Sequence, residues 1–412
     1  MASTPRRLQW SSLLPEILGL VIARLPHIAD RARFRAVCRP WHSAVRLHVS
    51  PRQRLPWVVL EDGAYLTPSD GGVHRLPFPK NTACVGSTGD WIAIDSTDEV
   101  TQTHTYALHN HFSGATVPLP ELDAIIGKVP EDFEIRKVLM RSTPDDLIAI
   151  TSNIWKYPLI LCRPGKGTWV PRLLAMPYFR IIDLVFLGDK LYAITKAEDL
   201  FVLHLTEDGD VRPAITSVKR IIRHAPSHDD DVYDVGVWQR FTDIDEEKGE
   251  ELGDEAPTEK NNHDDDHERF AFMEEETLSE IEDGILEGYD AIHTSRNLVE
   301  SQGKLLMVRR VHQISAFTPT DHTRKVEVFE ADMETGAWVP VNTRLGGGQA
   351  IFISNRFSNI ISACGEVEED VVYFPDTNDM FDMKSWIIRP TRPMDWLSDK
   401  WRAWVFPPNL VV

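Results

Sequence analysis

Cysteine is scarce in this 412-residue chain: Cys38, Cys84, Cys162 and Cys364 lie far apart and form no CxxC pair. Their spacing argues against a disulfide scaffold and a multi-cysteine zinc site, and fits reduced, buried thiols of the cytosol or nucleus. Long apolar runs are missing as well. None approaches the roughly 18 residues needed to span a bilayer, and residues 1–10 lack the apolar core of a secretory leader, so no membrane or secretory route is expected. Catalytic signatures are equally absent: there is no GxSxG elbow, no HExxH helix and no P-loop. Gly346-Gly347-Gly348 lacks a following Lys-Ser or Lys-Thr and reads as a hairpin turn. No catalytic residue, cofactor or metal is expected.

What is abundant is negative charge, and it is concentrated. Residues 227–290 hold 25 Asp and Glu against 4 Lys and Arg, which leaves 38 against 40 for the other 348 residues of a chain whose net charge is −19. The runs Asp229-Asp230-Asp231, Asp264-Asp265-Asp266 and Glu274-Glu275-Glu276 identify an acidic insertion that is expected to be disordered. His263 and His267 flank three of these aspartates, but the low-complexity setting favours a solvated charge run over a metal site. Asp243, Asp245, Glu247 and Asp254 are spaced somewhat like a calcium loop, yet Lys248 stands where the sharp turn needs glycine. Such a segment suits a spacer, or electrostatic capture of a basic partner. Direct nucleic-acid binding is not expected.

The first fifty residues carry the strongest pattern. Leu14, Ile17, Leu18, Val21, Ile22 and Leu25 recur every three to four residues, which places them on one face of a helix beginning near Pro15 and stopped by Pro26. Asp30 suits the N-cap of a second helix bearing Phe34, Val37 and Cys38, and Pro40 suits the first turn of a third bearing Trp41, Ala44 and Val45. Three short helices cannot hide that much apolar surface, so a partner is implied. Leu13-Leu14-Pro15-Glu16, the run to Leu25-Pro26, and Arg33 to Trp41 resemble the F-box. The resemblance implies docking onto a Skp-type adaptor, and through it a cullin, by way of Leu14, Pro15, Ile17, Leu18, Val21, Leu25, Val37, Cys38 and Trp41.

Downstream of a joint at residues 49–56, short runs rich in β-branched and aromatic residues alternate with Gly, Asp, Pro and Ser clusters, beginning with Trp57-Val58-Val59-Leu60. These are the marks of an all-β domain. An acidic or glycine turn followed by an apolar strand recurs around Ile92, Leu147, Leu191, Leu305 and Val371, at intervals of 55, 44, 114 and 66 residues. Removing the 64-residue acidic segment reduces the long interval to 50, and the series then resembles the period of about 50 of kelch-like propeller blades. Five or six irregular blades are expected; a β-sandwich is the alternative. The early strands of the blade after the insertion are hard to find. Trp155, Trp169, Trp238, Trp338, Trp386, Trp396, Trp401 and Trp404 are read as core and blade-packing residues.

The segments Asn297 to Ser301, Gly303 to Val308, Val328-Phe329, Trp338 to Val341, Gly346 to Gly348 with Ala350-Ile351-Phe352, and Val372 to Phe374 resemble a plant family, common in grasses, in which an F-box precedes a kelch-like β domain. The expected organisation is α+β: a three-helix F-box at 8–48, a linker at 49–56, and a kelch-like propeller at 57–226 and 291–412 interrupted by the acidic insertion at 227–290. The resemblance implies the substrate-recognition subunit of a Skp-cullin-F-box ubiquitin ligase, non-catalytic, cytoplasmic or nuclear, whose β domain holds an unidentified target protein. A non-degradative scaffold and a propeller oxidase or hydrolase with a metal in its channel are the alternatives.

Overall fold

The structure is a computed structural model that describes residues 10, 13–25, 33–35, 37–48, 55–60, 63–67, 72–75, 78, 81–126, 135–153, 157–171, 178, 181–206, 212–223, 291–314, 322–342, 344–354, 356–391 and 402–406. The acidic insertion, Pro26, Asp30, most of the expected linker, and Trp155, Trp238, Trp396 and Trp401 lie outside the described residues. The elements fall into two compact units, 1–119 with 344–412 and 120–343.

The first unit begins with helices α1 (Pro15–Ala23) and α2 (Arg39–His48), with residues 33–35 forming a helical turn between them. Its three sheets follow. One orders β25 (Arg402–Val405), β1 (Trp57–Leu60), β2 (Ala64–Thr67) and β3 (Gly72–Arg75), so a strand from the far end of the chain completes it. The next runs β4 (Thr82–Thr88), β5 (Trp91–Thr97), β6 (His104–Asn110) and β7 (Ala115–Pro118) in sequence order. The last orders β21 (Phe357–Ser362), β20 (Gln349–Ser354), β22 (Val371–Phe374), β23 (Asp379–Asp382) and β24 (Ile387–Pro390), with β20 and β22 parallel.

The second unit holds helix α3 (Pro120–Ile126) and three four-stranded antiparallel sheets. They are β8 (Ile135–Met140), β9 (Ile148–Ser152), β10 (Leu159–Arg163) and β11 (Gly167–Trp169); β12 (Ile181–Leu187), β13 (Lys190–Thr195), β14 (Leu200–Leu205) and β15 (Ile215–Ile222); and β16 (Ala291–Ser301), β17 (Lys304–Ile314), β18 (His322–Asp332) and β19 (Ala337–Pro340). Six sheets are the six blades of an all-β propeller, the upper of the two expected numbers. The blade after the insertion is complete, with three strands of eleven residues.

The alternation of side chains explains why these strands read as continuous apolar runs. In the fourth blade, Leu191, Ala193, Phe201 and Leu203 pack with Ala149 and Leu161 of the third, while Tyr192, Ile194, Leu200 and Val202 pack with Leu298, Leu305 and Met307 of the fifth. A sheet buried on both faces has no polar side to alternate with. In the first blade Val58, Leu66 and Trp404 join Phe352 and Tyr373, whereas Trp57, Val59, Tyr65 and Val405 join Ile92 and Ile94.

The strands that open three successive blades share an irregularity: register shifts fall between Cys84 and Gly86, Ile135 and Lys137, and Ile181 and Asp183. Such a bulge re-aims the next side chain. In the second unit it turns Lys137 onto Asp183 at 2.5 Å, both essentially buried. Asp183 also accepts the backbone N–H groups of Leu184 (2.8 Å) and Leu298 (2.7 Å), so one carboxylate joins the opening strands of three blades. Burial pushes the Asp183 carboxyl up and the Lys137 ammonium down, and each opposes that push on the other.

The outer hairpins reuse one turn. Asn110, Asp332 and Asp382 each accept backbone N–H bonds from the second and third residues beyond, and their own carbonyls accept an N–H from the fourth. That closing residue has φ near +60° and is glycine at Gly114 and Gly336, but Trp386 in the last blade. Trp386 differs from its expected packing role: it is 49% exposed, with one edge on Phe381, because the left-handed turn points it outward. Trp404 is buried, while Trp169 and Trp338 are half-buried against Tyr178 and Glu198 respectively.

Candidate functional site

Pro15 occupies the first turn of α1, where its missing N–H costs nothing, and extended Leu14 enters the helix with its carbonyl accepting the Leu18 N–H at 3.1 Å. Glu16 lies in the first turn, where a negative charge meets the positive end of the helix dipole. The end is closed by Arg24 and Leu25, whose N–H groups reach Val21 and Ile22.

Two faces of α1 are apolar. Leu18 and Ile22 point inward and pack with Phe34 and Ala44, with Leu13, Leu25 and Trp41 around them. Phe34 and Trp41 have ring centroids 4.2 Å apart, and the Trp41 indole donates to the Trp10 carbonyl at 2.9 Å. The other face carries Leu14, Ile17, Leu20 and Val21, all exposed, and Val37 is exposed on the same module. A helix apolar on both faces belongs between two bodies, and only one of them is its own bundle.

Of the nine expected docking residues, Leu14, Pro15, Ile17, Val21 and Val37 are exposed, and Leu25, Cys38 and Trp41 are half-buried. Leu18 departs from the expected role: at 1% exposure it is core, because its position one residue past Ile17 turns it toward Phe34. Leu20 was not among the expected residues, yet it is exposed beside Ile17 and Val21. Its i+3 spacing from Ile17 was the available signal. The first 52 residues hold nine arginines, no lysine and two carboxylates. Arg24, Arg33 and Arg39 are exposed, so the apolar stripe sits in a cationic module.

Arg33 also acts on a cluster of rings in the same unit. Trp57 stacks on Tyr65 with centroids 4.5 Å apart, Tyr65 stacks on His74, and His111 lies against Trp57, Tyr65 and Phe112. Burial, then repulsion from His109 and Arg33, pushes His111 down to about 4. An unfolded histidine takes up its proton near 6.5, so between those values the unfolded chain binds the extra proton. Stability conferred by neutral His111 is therefore lost as pH falls through that window and levels off below about 4. Discounted for partial exposure, about 2 kcal/mol is expected. Urea unfolding at intervals from pH 7 to pH 4 measures it against His111→Phe, which should lack that part of the pH dependence; parallel curves for the two proteins would refute the assignment.

One constellation has the residue types of a nucleophile and base. His104 Nδ1 lies 2.8 Å from Asp95 and 3.3 Å from the Thr97 hydroxyl. Carboxylate and hydroxyl meet the same ring nitrogen, whereas a relay requires them on opposite nitrogens. Cys162 is buried and its thiol is pushed up to about 12 by burial and by Glu121, which makes it a packing residue without thiolate character.

The family model of the F-box domain matches residues 10–52, and that of the KIB1-4 beta-propeller matches residues 65–389. F-box protein At2g14290 of Arabidopsis thaliana is 25% identical over 224 residues, half of this chain and 62% of that protein. F-box protein At2g05970 of the same plant is 38% identical over 60 residues, 15% of this chain and 16% of that one. Putative F-box protein At2g04810, also of Arabidopsis thaliana, is 26% identical over 121 residues, 29% of each chain. The chain therefore spans less than two thirds of the length of each of these relatives. Among the described residues no helix is long and apolar enough to cross a membrane.

Proposed function

The chain belongs to the family of F-box proteins with a KIB1-4 β-propeller, and from that premise we propose that it is a substrate receptor of a Skp-cullin-F-box ubiquitin ligase. The exposed apolar stripe of Leu14, Ile17, Leu20 and Val21, beside a core that is already filled, is the observation that carries this reading. The stripe binds a Skp-type adaptor, and the arginines of the module favour an acidic rim on that adaptor. The propeller holds the target through its loops, which a rigid scaffold can vary freely.

Catalysis is by proximity. The receptor supplies no reacting group; it holds target lysines near a conjugating enzyme at high effective concentration. Reduced cysteines support a cytoplasmic or nuclear setting. The test is co-expression with a plant Skp-type adaptor followed by co-purification. The wild-type chain is expected to retain the adaptor and Leu14→Ala with Pro15→Ala to lose it; a folded wild-type chain that retains no Skp-type adaptor defeats the proposal.

A further inference from the structure

The three eleven-residue strands of the fifth blade share an end with the fourth. The β13–β14 turn, the close of β15, the start of β16, the close of β17 and the start of β18 all lie there, and Glu198 of the turn reaches Arg296 of β16 at 2.7 Å and Arg309 of β17. That end is basic. The fourth blade supplies Lys196, Lys219, Arg220 and Arg223; the fifth supplies Arg296, Arg309, Arg310, Arg324 and Lys325. Among the described residues, Glu198, Asp199 and Glu327 stand against these nine cations.

Several of the cations are held in place. Glu198 fixes two guanidiniums; Arg309 also faces Glu327 at 3.4 Å and lies 4.7 Å over the Phe329 ring; Arg324 donates to Gln313 at 2.7 Å. Lys196, Lys219, Arg223, Arg324 and Lys325 are exposed, so an anion can reach them. A surface with this excess of positive charge binds and steers polyanions.

The chain leaves the described residues after Arg223 and re-enters at Ala291, both at this same end. Between them, residues 227–290 carry 25 carboxylates and 4 cations. Attachment on both sides holds those carboxylates near the basic end at an effective concentration on the order of millimolar. We propose that this basic end of the fourth and fifth blades is a docking surface for an acidic polypeptide, and that its occupant is the chain's own acidic stretch, residues 227–290. An external acidic ligand then has to compete with that stretch.

The test uses a labelled poly-glutamate peptide as probe, the full chain, and a full-length version with residues 227–290 replaced by a neutral Gly/Ser segment of equal length. At about 50 mM salt the neutral version is expected to bind the probe at least about tenfold more tightly than the natural chain. Raising salt to about 300 mM, or adding Arg324→Glu with Lys325→Glu at these exposed positions, is expected to remove the gain. Equal affinity of the two chains overturns the proposal: tight binding by both means the surface is open in the natural protein, and weak binding by both means it is no docking surface. A gain that persists in the Arg324→Glu, Lys325→Glu protein overturns the location.

Discussion

Replacing Asp183 with alanine is expected to destabilise the second unit by about 3–5 kcal/mol, the range for removing one partner of a buried ion pair. Three donors lose this acceptor at once: the Lys137 ammonium at 2.5 Å and the backbone N–H groups of Leu184 and Leu298. Water cannot substitute easily, since both side chains are essentially buried. Asp183→Asn should be milder than Asp183→Ala, because an amide oxygen still accepts from one or two of these donors. Lys137→Met with Asp183→Leu should recover part of the loss, since the buried ammonium is removed together with its carboxylate. Urea unfolding followed through the fluorescence of the β domain measures all three. A change below about 1 kcal/mol for Asp183→Ala would sink the idea that this carboxylate ties three blades together.

Much of the architecture was readable because blade packing leaves a strong imprint. Ile92, Leu191, Leu305 and Val371 lie in strands, Leu147 directly precedes one, and four of these five strands are the second of their blade. Their doubly buried faces give the unbroken apolar runs that made the repeat visible. The first blade escaped the count for a topological reason: its four strands come from Trp57 to Arg75 and from Arg402 to Val405, so no contiguous unit exists to be measured. The blade after the insertion was obscured because β16 spells Ala291-Ile292-His293-Thr294-Ser295-Arg296 before its apolar part, and its cations answer to Glu198 across the blades. Long-range charge pairing leaves no local period. Asp183 and Lys137 were invisible for the same reason: they are 46 positions apart, and a bulge, which has no sequence signature here, is what aims each at the other.

The helical module shows the converse problem: its pattern was plain and its sidedness was not. Counting apolar residues at spacings of three and four selects Ile17 and Leu18 together, although the helix places one outside and the other inside. Two readouts separate them. Leu18→Ala removes a core side chain packed against Ile22, Phe34 and Ala44, and is expected to cost about 2–5 kcal/mol of stability, with adaptor binding falling only as the folded fraction falls. Val21→Asp changes an exposed position and should leave stability within about 0.5 kcal/mol. It buries a carboxylate in an apolar interface, and so is expected to weaken a purified Skp-type adaptor at least about 100-fold. Calorimetric titration with the adaptor, run beside urea unfolding of each variant, gives both quantities. Retained affinity in Val21→Asp would show that the exposed stripe is not the docking face. Unaltered stability in Leu18→Ala would show that the inward face is not the core that holds the stripe in position.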